Sequence, residues 1–383
     1  MEEIKVGIIG TGMMGNTHAE AIRRIPGTRI VALSGGSDFE KTRAMAGELG
    51  IPKAYADYRE MLENEELDVV HNCTPNNMHY AINKDIIAKG INVYCEKPLA
   101  MTSGETAELT KLAAEKGVKA GVNFNYRHNA TVRDMNERVK MSVEDGGTGP
   151  IYLVHGTYIQ DWLMFDTDFN WRCVSEIGGS SRAVADIGSH WFDTVQFITG
   201  SKITSVYAKF INIFPQRKKP EKAVATFTTA SDATYTDVDI DTEDAAYIMV
   251  RLDSGVYGNV VVSQVSGGRK NGFVIDVDGA RYSMRWNQED SDKLLIGTRE
   301  MNAVYHSGAE MLHGDARRYA TLPSGHQLGW ADALRSAIRE YYNDVKGLSS
   351  DANYATFADG DYIERIVEAC VKSSREDKWI DVV

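Results

Sequence analysis

Apolar residues gather in the first third of the chain into short runs at 4–9, 29–33, 68–73, 92–95 and 119–124, separated by longer stretches of mixed character. Short apolar runs of this kind suit strands buried on both faces, and the spacers are long enough to be crossover helices. One spacer carries helix signals of its own. Ser103-Gly104-Glu105-Thr106 supplies an N-cap region, Leu109, Leu112 and Ala113 recur at helical spacing, and Gly117 ends the segment. The alternation predicts βαβ units in a parallel sheet.

Beyond residue 150 the runs lengthen and alternate, at 151–160, 203–211, 245–252, 256–265, 273–277 and 280–286. Asp253-Ser254-Gly255 and Asp278-Gly279 are hairpin signals between neighbouring runs, so this half predicts a mostly antiparallel sheet. Helices are expected at 183–198, 328–346 and 354–373, with Gly347 a stop.

A chain of 383 residues exceeds one comfortable core, so two domains are expected, at 1–125 and 126–383. The 43% apolar and 25% charged residues are ordinary for packed proteins and argue against disorder. A net charge of -12 repels a phosphate backbone and argues against nucleic acid as a partner. The one basic run, Arg217, Lys218, Lys219 and Lys222 around Pro220, reads as a solvated loop. Cys73, Cys95, Cys173 and Cys370 are scattered without a C-x-x-C pair, which implies reduced thiols and no metal site. No leader pattern and no long apolar stretch is present, so a cytoplasmic protein without membrane association is expected.

The first strand runs directly into Gly10-Thr11-Gly12-Met13-Met14-Gly15, which is G-x-G-x-x-G at the opening of a helix. Glycines there permit a tight turn and let a pyrophosphate approach backbone N–H groups. That motif in that position makes the N-terminal domain a dinucleotide-binding Rossmann domain. The fold class is therefore α/β: a doubly wound parallel sheet, followed by an α+β domain with a large, mostly antiparallel open sheet. An acidic residue that would hold a ribose 2′-hydroxyl is missing from the second strand tip, Leu33-Ser34-Gly35-Gly36-Ser37-Asp38. Small residues Ser34, Gly35 and Ser37, with Lys41 and Arg43 beyond, would admit a 2′-phosphate, whereas Asp38 could serve a ribose if the loop folds back. NAD and NADP both stay open.

Three further signals stand in order. Thr74-Pro75-Asn76-Asn77-Met78-His79 follows the third predicted strand, Cys95-Glu96-Lys97-Pro98 the fourth, and Asp186-Ile187-Gly188-Ser189-His190 lies in the second half. With the glycine loop, they resemble the glucose-fructose oxidoreductase and inositol dehydrogenase family, Gfo/Idh/MocA, over essentially the whole chain. Asn123-Phe124-Asn125-Tyr126-Arg127, the segment 156–162, Trp171-Arg172, Phe357-Ala358-Asp359-Gly360 and 379–382 look most like its levoglucosan and glycoside 3-dehydrogenase branch. The resemblance implies oxidation of a ring secondary alcohol on a pyranose or cyclic polyol, leans toward NAD, and implies a homo-oligomer, dimer or tetramer.

Hydride transfer from a secondary alcohol needs a base for the hydroxyl proton. Lys97 follows a strand at the carboxyl edge of the sheet, where open α/β folds bind ligands. Pro98 holds Lys97 in extended geometry and allows a cis bond; by resemblance Lys97 is catalytic and also touches substrate and cofactor. Asp186 and His190, four apart in a predicted helix, share a face, while Ile187, Trp191, Val195 and Ile198 form its core stripe. His190 is the candidate base, its ordinary pKa being about 6.5, and Asp186 is suited to bind a substrate hydroxyl. A lone histidine in an apolar helix is more often structural, and the spacing to Asp186 argues otherwise.

Besides the glycine loop, cofactor contacts are expected at Thr74, Pro75, Asn76, Glu96 and, by resemblance, His79. Tyr126, Gln160, Trp162, Arg172, His326 and Trp330 are candidates to line a sugar pocket, where indole faces suit CH groups. The reading favours an NAD(P)-dependent dehydrogenase of a sugar, glycoside or cyclic polyol. Two alternatives are a redox-neutral enzyme that keeps its NAD bound, and a non-catalytic dinucleotide or sugar sensor. Retention of Lys97, Asp186 and His190 together weighs against the sensor.

Overall fold

The computed structural model describes residues 3–36, 38–221, 234–349 and 353–383. The chain divides into two compact units, Met1–Asn125 with Leu334–Glu364, and Tyr126–Ala333 with Arg365–Val383.

In the first unit, strands β1 (Ile4–Ile9), β2 (Thr28–Ser34), β3 (Lys53–Tyr55), β4 (Val69–Asn72), β5 (Asn92–Cys95) and β6 (Ala120–Val122) form one sheet in the order β3-β2-β1-β4-β5-β6. Every pairing is parallel. Helices α1 (Met13–Arg23), α2 (Phe39–Glu48), α3 (Tyr58–Asn64), α4 (Asn76–Ala88) and α5 (Ser103–Lys116) are the crossovers. Val6, Ile8, Val69, Val70 and Val93 are fully buried, as strands covered on both faces require. The short edge strand β3 has too few apolar residues to register as a run. Thr102, one residue earlier than expected, caps α5 by accepting from the Glu105 N–H, and Gly117 ends it in the left-handed conformation.

The segment Leu334–Glu364, which the sequence assigns to the second domain, belongs to this unit. It contains most of helix α9 (Trp330–Val345) and the start of helix α10 (Phe357–Glu376). The cause is specific. The Val122 N–H donates to Ala355 O at 2.8 Å, the Tyr341 hydroxyl to Lys119 O at 3.1 Å, and Lys119 pairs with Asp344 at 2.8 Å. A returning segment that completes the edge at β6 cannot be read from local periodicity.

The second unit is built on β7 (Ile151–Ile159), β8 (Ile203–Ile211), β11 (Ala245–Leu252), β12 (Tyr257–Ser263), β13 (Gly272–Gly279), β14 (Ser283–Asn287), β15 (Lys293–Gly297), β16 (Asn302–His306) and β17 (Ile380–Asp381). Their order is β16-β15-β14-β13-β7-β12-β11-β8-β17, and all pairs are antiparallel except β7 with β12. One face buries Ala208, Ile248, Val260, Ile275, Trp286 and Leu294, which lie in register across the strands. The helices packed on that face are α6 (Ala130–Lys140) and α8 (Ser189–Thr199), with the four-residue α7 (Ser175–Gly178) between them in the chain. Gly156 on β7 is there by need, because a Cβ would meet the Trp191 indole nitrogen at 2.8 Å.

Two expectations need correction. Residues 183–198 are not one α-helix: a π-helical turn spans Val184–Gly188 before α8 begins. Nor is the basic run a solvated loop over its described part. It forms β9 (Gln216–Pro220), paired with β10 (Tyr235–Asp239), and Arg217 is fully buried; Lys222 lies outside the described residues. Arg217 donates to Asp244 at 2.6 Å and to the carbonyls of Leu163, Phe165 and Asp168, while Arg182 holds the same Asp244. One aspartate between two buried arginines, further bonded by the Ile213 and Phe214 N–H groups, ties the 163–168 loop to the sheet.

Asp244→Ala should cost about 3–5 kcal/mol, because it leaves two buried guanidiniums uncompensated. Urea denaturation of the variant checks this, and a loss under about 1 kcal/mol would refute the central role of that triad.

Candidate active site

The strand order of the first unit reverses at β1, whose neighbours are β2 and β4, so the carboxyl ends of β1 and β4 form the switch point where such sheets bind ligands. Three glycines there do different work. At Gly10, with φ of 116°, a Cβ would press on the Cys73 carbonyl at 2.5 Å. At Gly15 a Cβ would collide with the Gly10 carbonyl oxygen. Both are needed for the turn itself. Gly12 has nothing within 4 Å of its Cβ position and ordinary backbone angles, so its lack of a side chain serves no neighbour. It is the N-cap of α1, with no side-chain cap and no acidic residue in the first turn. Thr11 and Met14 are half-buried and Met13 is exposed beside it. An uncapped helix start with open space before it fits a pyrophosphate.

At the end of β2, Ser34 is buried and its carbonyl accepts from the Gly10 N–H at 2.8 Å. Gly35 leaves room for the Thr42 side chain. Asp38 caps α2 by accepting from the Lys41 N–H at 3.0 Å, which occupies it locally, and Arg43 pairs with Glu40 at 3.1 Å. Ser37 lies outside the described residues.

At the end of β4, the Thr74 hydroxyl donates to Asn72 at 2.7 Å, Pro75 is the N-cap of α4, and Asn76 is buried. His79 is buried with Nδ1 at 2.7 Å from Pro98 O and Nε2 at 2.8 Å from Thr74 O. Both ring nitrogens thus face main-chain carbonyls, and the ring staples α4 to the segment carrying Lys97. Burial lowers the His79 pKa, against the carbonyl contacts that raise it. Lys97 is half-buried, and the Lys97-Pro98 bond is cis. Glu96 is buried; burial disfavours its charge, but hydrogen bonds from His18 and Asn123 and the charges of His18 and Lys97 win, so its pKa falls below the ordinary value.

In the second unit Asp186 and His190 flank a pair of tyrosines. The Asp186 carboxylate accepts from Gln264 at 2.8 Å and pairs with Arg172 at 3.3 Å. Arg172 stacks on Trp171 and bonds Asn170. His190, 6% exposed, meets Tyr126 edge to face at 4.8 Å between centroids, and Tyr158 lies at 6.2 Å. Three hydrogen bonds close a ring here. Asn271 Nδ2 donates to Tyr126 at 3.1 Å, the Tyr126 hydroxyl to Tyr158 at 2.8 Å, and the Tyr158 hydroxyl to Asn271 Oδ1 at 2.7 Å. Burial, the dominant cause, raises the pKa of both phenols, and the Asp186 charge adds to it. Gln160 donates to the same Asn271 oxygen at 3.1 Å and accepts from the Trp162 indole at 2.9 Å.

Seven sequence candidates, Tyr126, Gln160, Trp162, Arg172, Asp186, His190 and Trp330, whose side chain hydrogen-bonds Tyr126, therefore belong to one neighbourhood. His326 does not join it: it is exposed on a turn, its Nδ1 at 3.2 Å from Pro323 O. The sequence missed Asn271, just before β13, and Gln264, just after β12, since single polar residues at strand ends carry no pattern of their own. Among the described residues no cluster of His, Cys, Asp or Glu could hold a metal ion, and no helix is long and apolar enough to cross a membrane.

A doubly wound sheet with a glycine turn at its switch point defines a nucleotide-binding unit, and the second unit is built on a large open sheet. Residues 4–124 match the family model described as "Oxidoreductase family, NAD-binding Rossmann fold", and residues 136–285 match that of the "GFO/IDH/MocA C-terminal domain". The chain belongs to the Gfo/Idh/MocA family of NAD-binding oxidoreductases. It is similar to levoglucosan dehydrogenase of Pseudarthrobacter phenanthrenivorans, 26% identical over 396 residues covering 100% of this chain and 99% of that protein. A crystal structure of an oxidoreductase domain protein from Kribbella flavida superimposes with a TM-score of 0.87 at 26% identity, covering all of both chains. Levoglucosan dehydrogenase in complex with NADH and levoglucosan shares the fold, with a TM-score of 0.87 at 24% identity over all of both chains.

The glycine assignments separate by experiment. Gly12→Val should cost about 1 kcal/mol of stability or less but weaken NADH binding at least about tenfold, whereas Gly15→Ala should lose more than about 2 kcal/mol. NADH fluorescence titration and thermal unfolding read the two effects; a Gly12→Val protein that binds NADH normally would dismiss the cradle.

Proposed function

We propose that this protein is an NAD-dependent dehydrogenase that oxidises a ring secondary alcohol of a sugar, glycoside or cyclic polyol. Support comes from the relatives' names. Levoglucosan dehydrogenase, the glucose-6-phosphate 3-dehydrogenase of Bacillus subtilis at 24% identity and the myo-inositol 2-dehydrogenase of Thermotoga maritima at 26% all act on cyclic polyhydroxy compounds. The single observation that carries the chemistry is Lys97, beside a buried carboxylate at the carboxyl end of β5. The bound nicotinamide supplies the hydride acceptor.

In this reading the backbone at Gly12 and the start of α1 hold the pyrophosphate, with Thr11, Met13 and Met14 beside it, and Ser34, Gly35, Thr74, Pro75, Asn76 and Glu96 line the remainder. Ser37 is retained as a contact by sequence alone. Lys97 orients the reacting hydroxyl through a hydrogen bond and assists the transfer of its proton to the base. His190 is assigned as general base and Asp186 as the acceptor for a neighbouring substrate hydroxyl, with Arg172 fixing the carboxylate. Gln160 and Trp162 are assigned to sugar binding. Tyr126 supports His190, since its own hydroxyl is committed to the ring with Tyr158 and Asn271. NAD is preferred over NADP because Arg43, the guanidinium that the sequence offers to a 2′-phosphate, pairs with Glu40.

The outer face of the large sheet supports a homo-oligomer. Tyr207, Met249, Asn259, His155, Asp276, Arg285, Leu295 and Val304 lie in one cross-strand row, and Tyr152, Leu153, Tyr247 and Tyr257 are more than half exposed on the same strands. So many exposed large apolar side chains on one sheet are unusual for a monomer, and a second copy of this chain is the proposed cover.

Lys97→Ala should lower kcat by at least about 100-fold while NADH still binds within about threefold of wild type. The assay is reduction of NAD by a panel of pyranosides and inositols. Normal turnover by the variant would remove Lys97 from the mechanism, and a wild-type chain inert across the panel would remove the substrate class. Tyr247→Lys combined with Tyr257→Lys should reduce the mass measured by light scattering; an unchanged mass would free this face from the assembly.

A further inference from the structure

The chemistry assigned above leaves unused a set of buried polar side chains beneath Glu96. His18 on α1 is fully buried, with Nε2 at 2.8 Å from Glu96 Oε1 and Nδ1 at 2.8 Å from Nδ1 of His71. His71 on β4 is fully buried too, and its Nε2 lies 2.8 Å from the hydroxyl of Tyr342 on α9. Asn123 donates to the same Glu96 oxygen at 2.6 Å and accepts from the Tyr94 hydroxyl at 3.1 Å. All of these residues lie in the first unit.

Proton counting restricts this chain sharply. A carboxylate only accepts, so Nε2 of His18 carries a proton. The Nδ1 to Nδ1 contact holds one proton. Burial, with the neighbouring His18 second, pushes the His71 pKa well below its ordinary value, so His71 is a neutral ring with one N–H. With both rings neutral, Tyr342 donates to His71, His71 to His18 and His18 to Glu96, so that all three bonds point toward the carboxylate. An extra proton on this chain would reverse the Tyr342–His71 and His71–His18 bonds without moving a heavy atom.

We propose that His18, His71 and Tyr342 form a positioning relay that holds the Glu96 carboxylate in place beside Lys97 and so supports the lysine's hydrogen bond to the reacting oxygen. The relay rests on the proposed dehydrogenase reaction for its catalytic consequence, though not for its geometry. The other titratable groups facing Glu96 are Lys97, His79, Cys73 and Cys95. Burial raises both thiols, which stay neutral, and His79 is fixed between carbonyls. His18 and Asn123 both donate to the same Glu96 oxygen, and His18 links it onward to a second buried ring.

Two measurements on the full chain test this. In long-range proton–nitrogen spectra of histidine-labelled protein at about pH 8, His18 should carry its proton on Nε2 and His71 on Nδ1, with His18→Gln and His71→Gln assigning the signals. A bare Nε2 on His18 overturns the relay. In the pH profile of kcat, His18→Leu should move the acid limb upward by about one unit, a loss that approaches tenfold only below about pH 4.5 and fades toward pH 7, because a pKa shift of one unit is tenfold on that limb. His18→Gln, which keeps an N–H aimed at Glu96, should restore the limb. A His18→Leu profile that overlays wild type overturns the proposal, as does failure of glutamine to rescue. Should His18→Leu not fold, the wild-type spectrum decides alone. A wild-type chain with no dehydrogenase activity would sink the reaction and leave the spectrum still to judge the relay.

Discussion

A carboxylate placed inside a protein persists as an anion only where donors replace the water it has lost, and Glu96 shows how much of the first unit is arranged around that requirement. Its donors come from two places far apart in the chain, His18 on α1 and Asn123 beyond β6. Those elements flank the strand ends that carry Gly10, Thr74 and Lys97. Satisfying one buried charge therefore fixes the first crossover helix and the far strands of the sheet to each other. Helix α1 is doubly constrained: Gly15 must pass against the Gly10 carbonyl at its start, and His18 must reach Glu96 one turn later. The start of α1 cannot drift without breaking one of these contacts. That rigidity makes its open first turn a fixed target for phosphate oxygens.

The second unit solves a similar problem with neutral groups. The ring of Asn271, Tyr126 and Tyr158 uses every hydroxyl proton internally, and burial keeps both phenols protonated, so it is stiff without carrying charge. His190 leans on this ring by its edge. The charges nearby are paired at the margin, Asp186 with Arg172.

Much of this was legible along the chain because parallel strands and crossover helices write a local signature. β1 and β5 match the apolar runs residue for residue, and the glycine motif falls where the first strand ends. What escaped was non-local or irregular. Leu334–Glu364 returns to complete the first unit through single contacts such as Val122 to Ala355. The π-turn at Val184–Gly188 inserts itself into a segment whose apolar stripe looks helical throughout: Ile187, Trp191, Val195 and Ile198 are all buried as expected, yet Asp186 sits in the wider turn and faces Gln264 and Arg172. Arg217 is basic, flanked by lysines and still fully buried, because its partner Asp244 is distant in sequence.

The same reasoning explains why His18 was invisible as a functional candidate. It falls among Ala19, Ala21 and Ile22 on the buried side of α1, where a histidine reads as a core residue with a satisfied ring. It is a core residue, and its partners give it consequence: a neutral His71 on one nitrogen and an ionised Glu96 on the other give the ring a polarity that packing alone would not impose. Replacing such a group by an apolar one of similar size removes little volume and strands a charge. The sheet edge beneath Lys97 thus owes its electrostatic character to a residue that hydrophobic patterning assigns to the interior.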